Sequence, residues 1–134
     1  MDTLLTPAQT AERLPWAALA GEIEALLRDP AVRVPERIIL PTAQGAVLFV
    51  MPAADARVAM TKLISFTPAN VGTARPTIQG DVTVFDVATG TRRLILDGPT
   101  ITARRTAAVS ALAARRLAPN RAGPMLVVGA GVQG

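Results

Sequence analysis

The sequence predicts an α+β fold in which N-terminal helices pack on an antiparallel or mixed sheet and a long helix follows. Three observations predict it. Apolar residues recur at helical spacing near the N-terminus, about five short β-rich runs follow, and a second helical stretch comes after them. The chain has 134 residues, of which 50% are hydrophobic, so it can fill one core. We expect one unit over residues 1–122 and the start of another over residues 123–134.

The N-terminal helices have recognisable start signals. Thr6 suits a helix N-cap, Pro7 suits the first helical position, and Gln9 stands three residues after the cap. This short helix is expected to end near Pro15. Over residues 16–28 the apolar side chains then recur at helical spacing, at Trp16, Leu19, Ile23, Leu26 and Leu27. That spacing predicts an amphipathic helix that packs on the sheet.

The sheet is predicted from short runs that are rich in β-forming residues and are separated by turn residues. The five runs are residues 36–40, 46–51, 58–66, 81–87 and 92–96. Turns at residues 42–45 and 88–91 are expected to join the first two and the last two runs as hairpins. Residues 67–80 contain two Pro and two Gly and form the longest irregular stretch. That stretch is either a functional loop or a plain connector.

A long helix and a glycine-rich turn complete the sequence. Residues 97–100 open a helix of about 17 residues that ends before Pro119. The apolar residues 125–128 predict a strand, and GAGVQG follows them directly. This turn matches GxGxxG, which receives the diphosphate of a dinucleotide at the start of a Rossmann domain. The GxGxxG pattern alone is weak evidence, because glycine-rich turns without a binding function also match it. Here it follows a predicted strand, which is the context that a dinucleotide site requires. The remainder of the Rossmann domain is absent from the sequence.

Composition excludes several kinds of chemistry. The sequence has no Cys and no His, so it lacks thiol nucleophiles, disulfides, thiolate metal sites and imidazole acid–base groups, and we expect no metal site. The N-terminus does not resemble a secretory signal. The longest strongly apolar run, residues 46–54, is far shorter than the roughly 20 residues of a membrane helix. We expect a cytoplasmic protein with no membrane partner.

Positive charge is concentrated near the C-terminus. The net charge is +4, and the residues from 101 onward contain five arginines and no acid. These arginines are Arg104, Arg105, Arg115, Arg116 and Arg121. Aromatic residues are not interleaved with them, so a small phosphate or carboxylate ligand is favoured over nucleic acid. Arg104 and Arg105 lie near the start of the long helix, where the helix dipole disfavours cations. A bound anion would remove that conflict. The alternative, that the two arginines are simply solvated, is equally consistent with the sequence.

Two further cations are candidates for function. Lys62 is the only lysine in a chain that otherwise uses arginine, so its position could require a point charge or a titratable amine. The ordinary alternative is a lysine that protects a strand edge from aggregation. Arg37 stands at the start of a predicted strand, and its ordinary alternative is a surface salt bridge with Glu36 or another acid.

Five segments, in this order and spacing, resemble the ornithine cyclodeaminase and mu-crystallin family. They are PERIILP with Arg37, MTKLISFTPAN with Lys62, PTIQGDVTVFD, TARRTAAVSALAARRLA with Arg105, and LVVGAGVQG. The resemblance extends from about residue 36 to the last residue. It implies an α+β domain that binds substrate and forms a homodimer, followed by a Rossmann domain. NAD or NADP would be held between these two domains.

The resemblance also implies roles for individual residues. Arg37, Lys62 and Arg105 would hold the carboxylate of a small imino or amino acid, because the α-carbon must be oriented towards the nicotinamide. The dinucleotide contacts are implied for Thr77, Arg105, Gly129, Gly131, Val132, Gln133 and Gly134. The family's catalytic aspartate belongs to the absent part of the Rossmann domain. No residue here is therefore expected to be the proton donor, and Arg104 has no implied role.

Within the family, residues 61–86 look most like bacterial reductases of cyclic imino acids. That likeness implies NAD(P)H-dependent reduction of Δ1-pyrroline-2-carboxylate to proline and of Δ1-piperideine-2-carboxylate to pipecolate. One alternative is ornithine cyclodeaminase, which converts ornithine to proline and ammonia with recycled NAD+. Another is a cofactor-dependent binding protein without turnover. The segment alone is expected to be inactive, and the choice between NAD and NADP stays open.

Overall fold

The computed structural model describes residues 4–133 and shows an α+β architecture. The helices and strands of this part of the chain follow in the order α1 (Pro7–Glu12), α2 (Trp16–Leu26), β1 (Ile38–Pro41), β2 (Val47–Ala54), β3 (Val58–Phe66), β4 (Ile78–Asp86), β5 (Arg92–Asp97) and α3 (Gly98–Leu117). Short 3-10 turns lie at Ala43–Gly45 and Pro68–Asn70. Across these residues, no helix has the combination of length and hydropathy that crossing a bilayer requires.

The five strands form one antiparallel sheet in the order β1-β2-β3-β4-β5. Of the two sheet types predicted, antiparallel is therefore correct. Each strand is hydrogen-bonded to the strand before it in the chain, so short turns suffice to join most of them. The β1–β2 turn contains Gln44 and Gly45 at φ 59° and 72°, and the β4–β5 turn contains Gly90 at φ 68°. These backbone conformations suit glycine and small polar residues.

The helices cover one face of the sheet. Residues that lie opposite each other on neighbouring antiparallel strands point to the same face, and one such row is Met51, Lys62, Val82 and Leu96. Val82 is 1% exposed, and Ala108 and Leu112 of α3 are similarly buried. The opposite face is open, and its apolar side chains Ile38, Leu40 and Leu63 are 59%, 52% and 40% exposed.

Most of the predicted elements are confirmed, with some shifts at their ends. Thr6 and Gln9 form the predicted capping box, and β3 spans residues 58–66 as expected. β4 begins three residues earlier than predicted, and α3 has 20 residues. The predicted strand over residues 125–128 is wrong. A strand needs a neighbour to satisfy its backbone hydrogen bonds, and no described strand lies beside this segment.

A close contact between α3 and β4 fixes the height of the helix above the sheet. A Cβ atom on Gly98, the first residue of α3, would lie 2.5 Å from the carbonyl oxygen of Gly80. Gly80 itself has φ 151° and lies against the backbone of Leu63, so a side chain has no room there either. Asp97 caps the helix, because its Oδ2 accepts a hydrogen bond from the amide of Thr100 at 2.8 Å. The start of α3 therefore sits directly on the backbone of β4.

We expect Gly98→Ala to destabilise the protein by about 1–3 kcal/mol, the usual cost of forcing extra atoms into a packed contact. The matched control is Gly21→Ala in α2, where no atom lies within 4 Å of the added Cβ. That substitution should stabilise the protein by about 0.5–1 kcal/mol, since alanine favours the helix. Urea denaturation measures both changes. Equal stability of Gly98→Ala and the parent protein would show that the contact is not tight.

Candidate functional site

The candidate site is centred on Lys62, near the middle of β3. Its neighbours across the sheet are Met51 of β2 and Val82 of β4, and its side chain points towards α3. The Nζ atom donates a hydrogen bond to Oγ1 of Thr102 at 3.5 Å, and the side chain is half-buried. β3 is the central strand of the sheet. The alternative that Lys62 protects a strand edge is therefore wrong.

Lys62 lies within the electrostatic reach of two arginines. Burial lowers the pKa of its amine, and the positive charges of Arg105 and then Arg37 lower that pKa further. The two causes are different, but each disfavours the ammonium form and so lowers the pKa. The fold thus brings together the three residues that the resemblance assigned to the substrate carboxylate. We call Arg37, Lys62 and Arg105 the cationic cluster.

The strand register and the helix repeat explain how the cluster forms. Ile38 is paired with Val50, so the preceding residue, Arg37, lies level with Met51 and therefore with Lys62. On the other side, Thr102 and Arg105 are three residues apart and share one side of α3. Arg37 and Arg105 are exposed, so a ligand can reach them from solvent.

The cluster has no acidic partner within residues 4–133. The ion pairs found there involve Arg28 and Arg116 with Glu24, Arg57 with Asp55, and Arg93 with Asp86. The predicted alternative for Arg37, a salt bridge with Glu36, is not formed. Two forked guanidinium groups and one ammonium can hold a planar carboxylate through several charge-assisted hydrogen bonds. The arrangement is therefore suited to a small carboxylic acid.

Arg104 makes a packing contact that sequence reasoning missed. Its guanidinium carbon lies 4.3 Å from the centre of the Trp16 ring at the start of α2. Successive helical residues point about 100° apart, so one arginine can pack on α2 while the next belongs to the cluster. The cation–π contact joins α2 to α3. The scarcity of aromatic residues was the one available signal, since Trp16 is the only Trp in the chain.

Of the residues predicted to contact a dinucleotide, Arg105 belongs to the cluster, and the other described ones make no hydrogen bond or ion pair with it. Thr77 is half-buried at the end of the loop before β4, where its carbonyl oxygen accepts a hydrogen bond from the amide of Thr67 at 2.8 Å. The remaining positions, Gly129, Gly131, Val132 and Gln133, are exposed. Gly134 lies outside the described residues. No hydrogen bond or ion pair within residues 4–133 joins the glycine turn to the cluster, so these assignments stay predictions.

The glycine turn nevertheless fits a diphosphate. Gly129 has φ 95°, a conformation that side chains disfavour, and nothing lies within 4 Å of the positions where side chains on Gly129 or Gly131 would begin. The backbone at this turn is therefore open to the close approach of a bulky anion.

The sequence is similar to known proteins over most of its length. The sequence profile described as "Ornithine cyclodeaminase/mu-crystallin family" matches residues 2–134. The chain is 39% identical over 129 residues to the Δ1-pyrroline-2-carboxylate/Δ1-piperideine-2-carboxylate reductase of Azospirillum brasilense, which covers 94% of this chain and 42% of the relative. It is 41% identical over 108 residues to ketimine reductase mu-crystallin of Mus musculus, which covers 78% of this chain and 34% of the relative. The chain thus spans less than half the length of these relatives.

A solved structure has the same fold. An archaeal alanine dehydrogenase dimer with bound NAD superimposes with a TM-score of 0.78, over 87% of this chain and 37% of that chain. The two sequences are 24% identical. This likeness shows that the arrangement of helices and sheet recurs in a longer protein.

Arg105→Gln is expected to raise the pKa of Lys62, because it removes the larger of the two repulsions that act on the ammonium. Lys62 is the only lysine in this sequence, so selective lysine labelling followed by an NMR pH titration can report its pKa. Arg115→Gln is the control, since Arg115 is exposed ten residues further along α3 and is not among the charges that lower the pKa of Lys62. An equal Lys62 pKa in the Arg105 variant and the parent would contradict the cluster.

Proposed function

The chain belongs to the ornithine cyclodeaminase/mu-crystallin family, and from that premise we propose that the whole protein is an NAD(P)H-dependent reductase of cyclic imino acids. Its substrates would be Δ1-pyrroline-2-carboxylate, reduced to proline, and Δ1-piperideine-2-carboxylate, reduced to pipecolate. The observation that carries this proposal is the cationic cluster, in which Lys62 is flanked by two arginines and by no acid. The identity to bacterial and mammalian imine reductases supports it.

The cluster orients the substrate in this proposal. The carboxylate of these imino acids is attached to the carbon of the C=N bond, so holding the carboxylate also holds the reacting carbon. The exposed guanidinium groups of Arg37 and Arg105 would meet the carboxylate from two sides, and the half-buried ammonium of Lys62 would meet it from the sheet. A reduced nicotinamide, when bound, would supply a hydride to that carbon of the protonated C=N bond.

Binding would also favour the protonated form of Lys62. The pKa of Lys62 is lowered by burial and by the charges of the two arginines. A bound carboxylate counteracts this repulsion and favours the ammonium form. The cluster therefore binds a carboxylate more tightly when Lys62 is protonated.

The cofactor would lie against the glycine turn in this proposal. Gly129, Gly131 and Gly134, with the backbone of Val132 and Gln133, would receive the diphosphate, and Thr77 and Arg105 would contact the dinucleotide from the first unit. The open backbone at Gly129 and Gly131 supports the diphosphate contact. We assign residues 1–122 to substrate binding and dimerisation and residues 123–134 to the start of the NAD(P)-binding domain.

Ornithine cyclodeaminase is the alternative within the same family. Its substrate carries a second, cationic amino group that needs an acidic or polar partner. Around Lys62 the described residues supply only cations as charged groups, namely Arg37 and Arg105. This surplus of positive charge favours a substrate with one carboxylate and no distal amine, although a binding protein without turnover would use the cluster equally well.

The function is tested with purified full-length protein. NADPH or NADH is mixed with Δ1-pyrroline-2-carboxylate, and separately NAD+ is mixed with ornithine, while absorbance and ammonia are followed. We expect loss of NAD(P)H absorbance with the imine. Lys62→Met and Arg105→Gln should each raise KM about 10- to 100-fold, because each removes a charged hydrogen-bond donor. Arg115→Gln is the control with unchanged KM. If neither assay shows a change in absorbance or release of ammonia, both enzymatic functions are overturned.

We also propose that the open face of the sheet is the homodimer surface. Ile38 and Leu40 of β1 and Leu63 of β3 are exposed on this face, with β2 between the two strands, and a face this apolar is stabilised by a second copy.

Leu63→Asp in the full-length protein is expected to weaken the dimer, because it places a charge in the apolar contact. Leu117→Asp is the control, since Leu117 is 79% exposed at the end of α3, away from the sheet. Sedimentation equilibrium measures the mass. A dimer that survives Leu63→Asp at micromolar concentration would place the interface elsewhere.

A further inference from the structure

The ammonium of Lys62 has one hydrogen-bond partner in the described part of the chain, the hydroxyl of Thr102 at 3.5 Å. The two residues are 40 positions apart in sequence, so the contact exists only because α3 lies on the sheet. An ammonium carries three protons and a threonine hydroxyl can accept two hydrogen bonds and donate one. The contact therefore leaves two ammonium protons and the hydroxyl proton available to a ligand.

The charged groups that face Lys62 would otherwise push it out of position. Arg105 repels it from α3, and Arg37 repels it from the start of β1. The residues beside it on β2 and β4 are Met51 and Val82, which carry no charge. A long lysine side chain is flexible and keeps its head in water where it can. Within residues 4–133, Thr102 is the one group that attracts the ammonium towards the cluster.

We propose that Thr102 is a positioning residue of the carboxylate site, whose hydroxyl holds the ammonium of Lys62 between Arg37 and Arg105. The hydroxyl accepts one N–H of Lys62 and so aims the other two at the position of the carboxylate. This inference rests on the proposed function in one respect, the assignment of the cluster to a substrate carboxylate. It adds a residue that acts through Lys62 and need not touch the substrate.

Thr106 shows that position matters more than residue type. It lies one turn further along α3, and its hydroxyl is buried without a hydrogen-bond partner. A threonine hydroxyl at position 106 therefore makes no hydrogen bond, whereas the one at position 102 accepts a hydrogen bond from Lys62 of the central strand. Thr106 is therefore the matched control.

The first experiment measures the protonation of Lys62 directly in the full-length protein. Selective lysine labelling gives its NMR signal, which is assigned by its loss in Lys62→Arg. Thr102→Val keeps the shape and removes the acceptor, so the pKa of Lys62 should fall below that of the parent. Thr102→Ser should restore the parent pKa, and Thr106→Val should not change it. An unchanged Lys62 pKa in Thr102→Val would overturn the proposal.

The second experiment measures catalysis with Δ1-pyrroline-2-carboxylate and NAD(P)H. We expect Thr102→Val to raise KM about tenfold, the usual effect of losing a hydrogen bond to a charged group, with a smaller change in kcat. Thr102→Ser should recover most of the loss, and Thr106→Val should leave KM unchanged. Equal KM values for Thr102→Val and the parent would also overturn the proposal. If the parent protein reduces no imine, the proposed function fails, and the titration alone decides the role of Thr102.

Discussion

The contact between Gly98 and Gly80 is the constraint on which the rest of the structure depends. It lets the start of α3 rest on the backbone of β4, where any side chain would hold the helix away. Thr102 and Arg105 follow one and two turns later on the same helix, so their height above Lys62 is fixed by that contact. Asp97 strengthens it by capping the helix, and the buried hydroxyl of Thr10 accepts a hydrogen bond from the Asp97 amide. Two glycines without side chains thus determine the geometry of a site made of long side chains.

The arginines of this chain divide into structural and functional groups by their partners. Arg116 and Arg28 share the carboxylate of Glu24, which joins α2 to α3, and that pairing lowers the pKa of Glu24. Arg104 packs on Trp16 and serves the same helix pair. The cationic cluster, by contrast, gathers three cations whose mutual repulsion opposes folding, and no acid offsets it within the described residues. A fold that tolerates such repulsion at one place provides a site for an anion.

Local sequence signals determined much of the fold but little of the site's geometry. Caps, turns and alternation located α1, α2 and the five strands, because those signals act over a few residues. They could not show that β3 is the central strand, which decides that Lys62 is half-buried, nor that Arg37 lies level with it. The contact of Arg104 with Trp16 also depends on tertiary packing. At residues 125–128 a local signal predicted an element that the structure does not have. An apolar run forms a strand only where another strand pairs with its backbone hydrogen-bonding groups.

The division of labour within the cluster follows from the chemistry of its side chains. The guanidinium groups of Arg37 and Arg105 present forked donors that match the geometry of a carboxylate. Lysine can lose its proton, and burial together with the neighbouring arginines lowers the pKa at which Lys62 does so. A third arginine at position 62 would add repulsion that no proton release could relieve. A lysine can relieve part of that repulsion by releasing its proton, and a bound carboxylate favours its ammonium form. This is a physical reason for the single lysine to stand in the central strand.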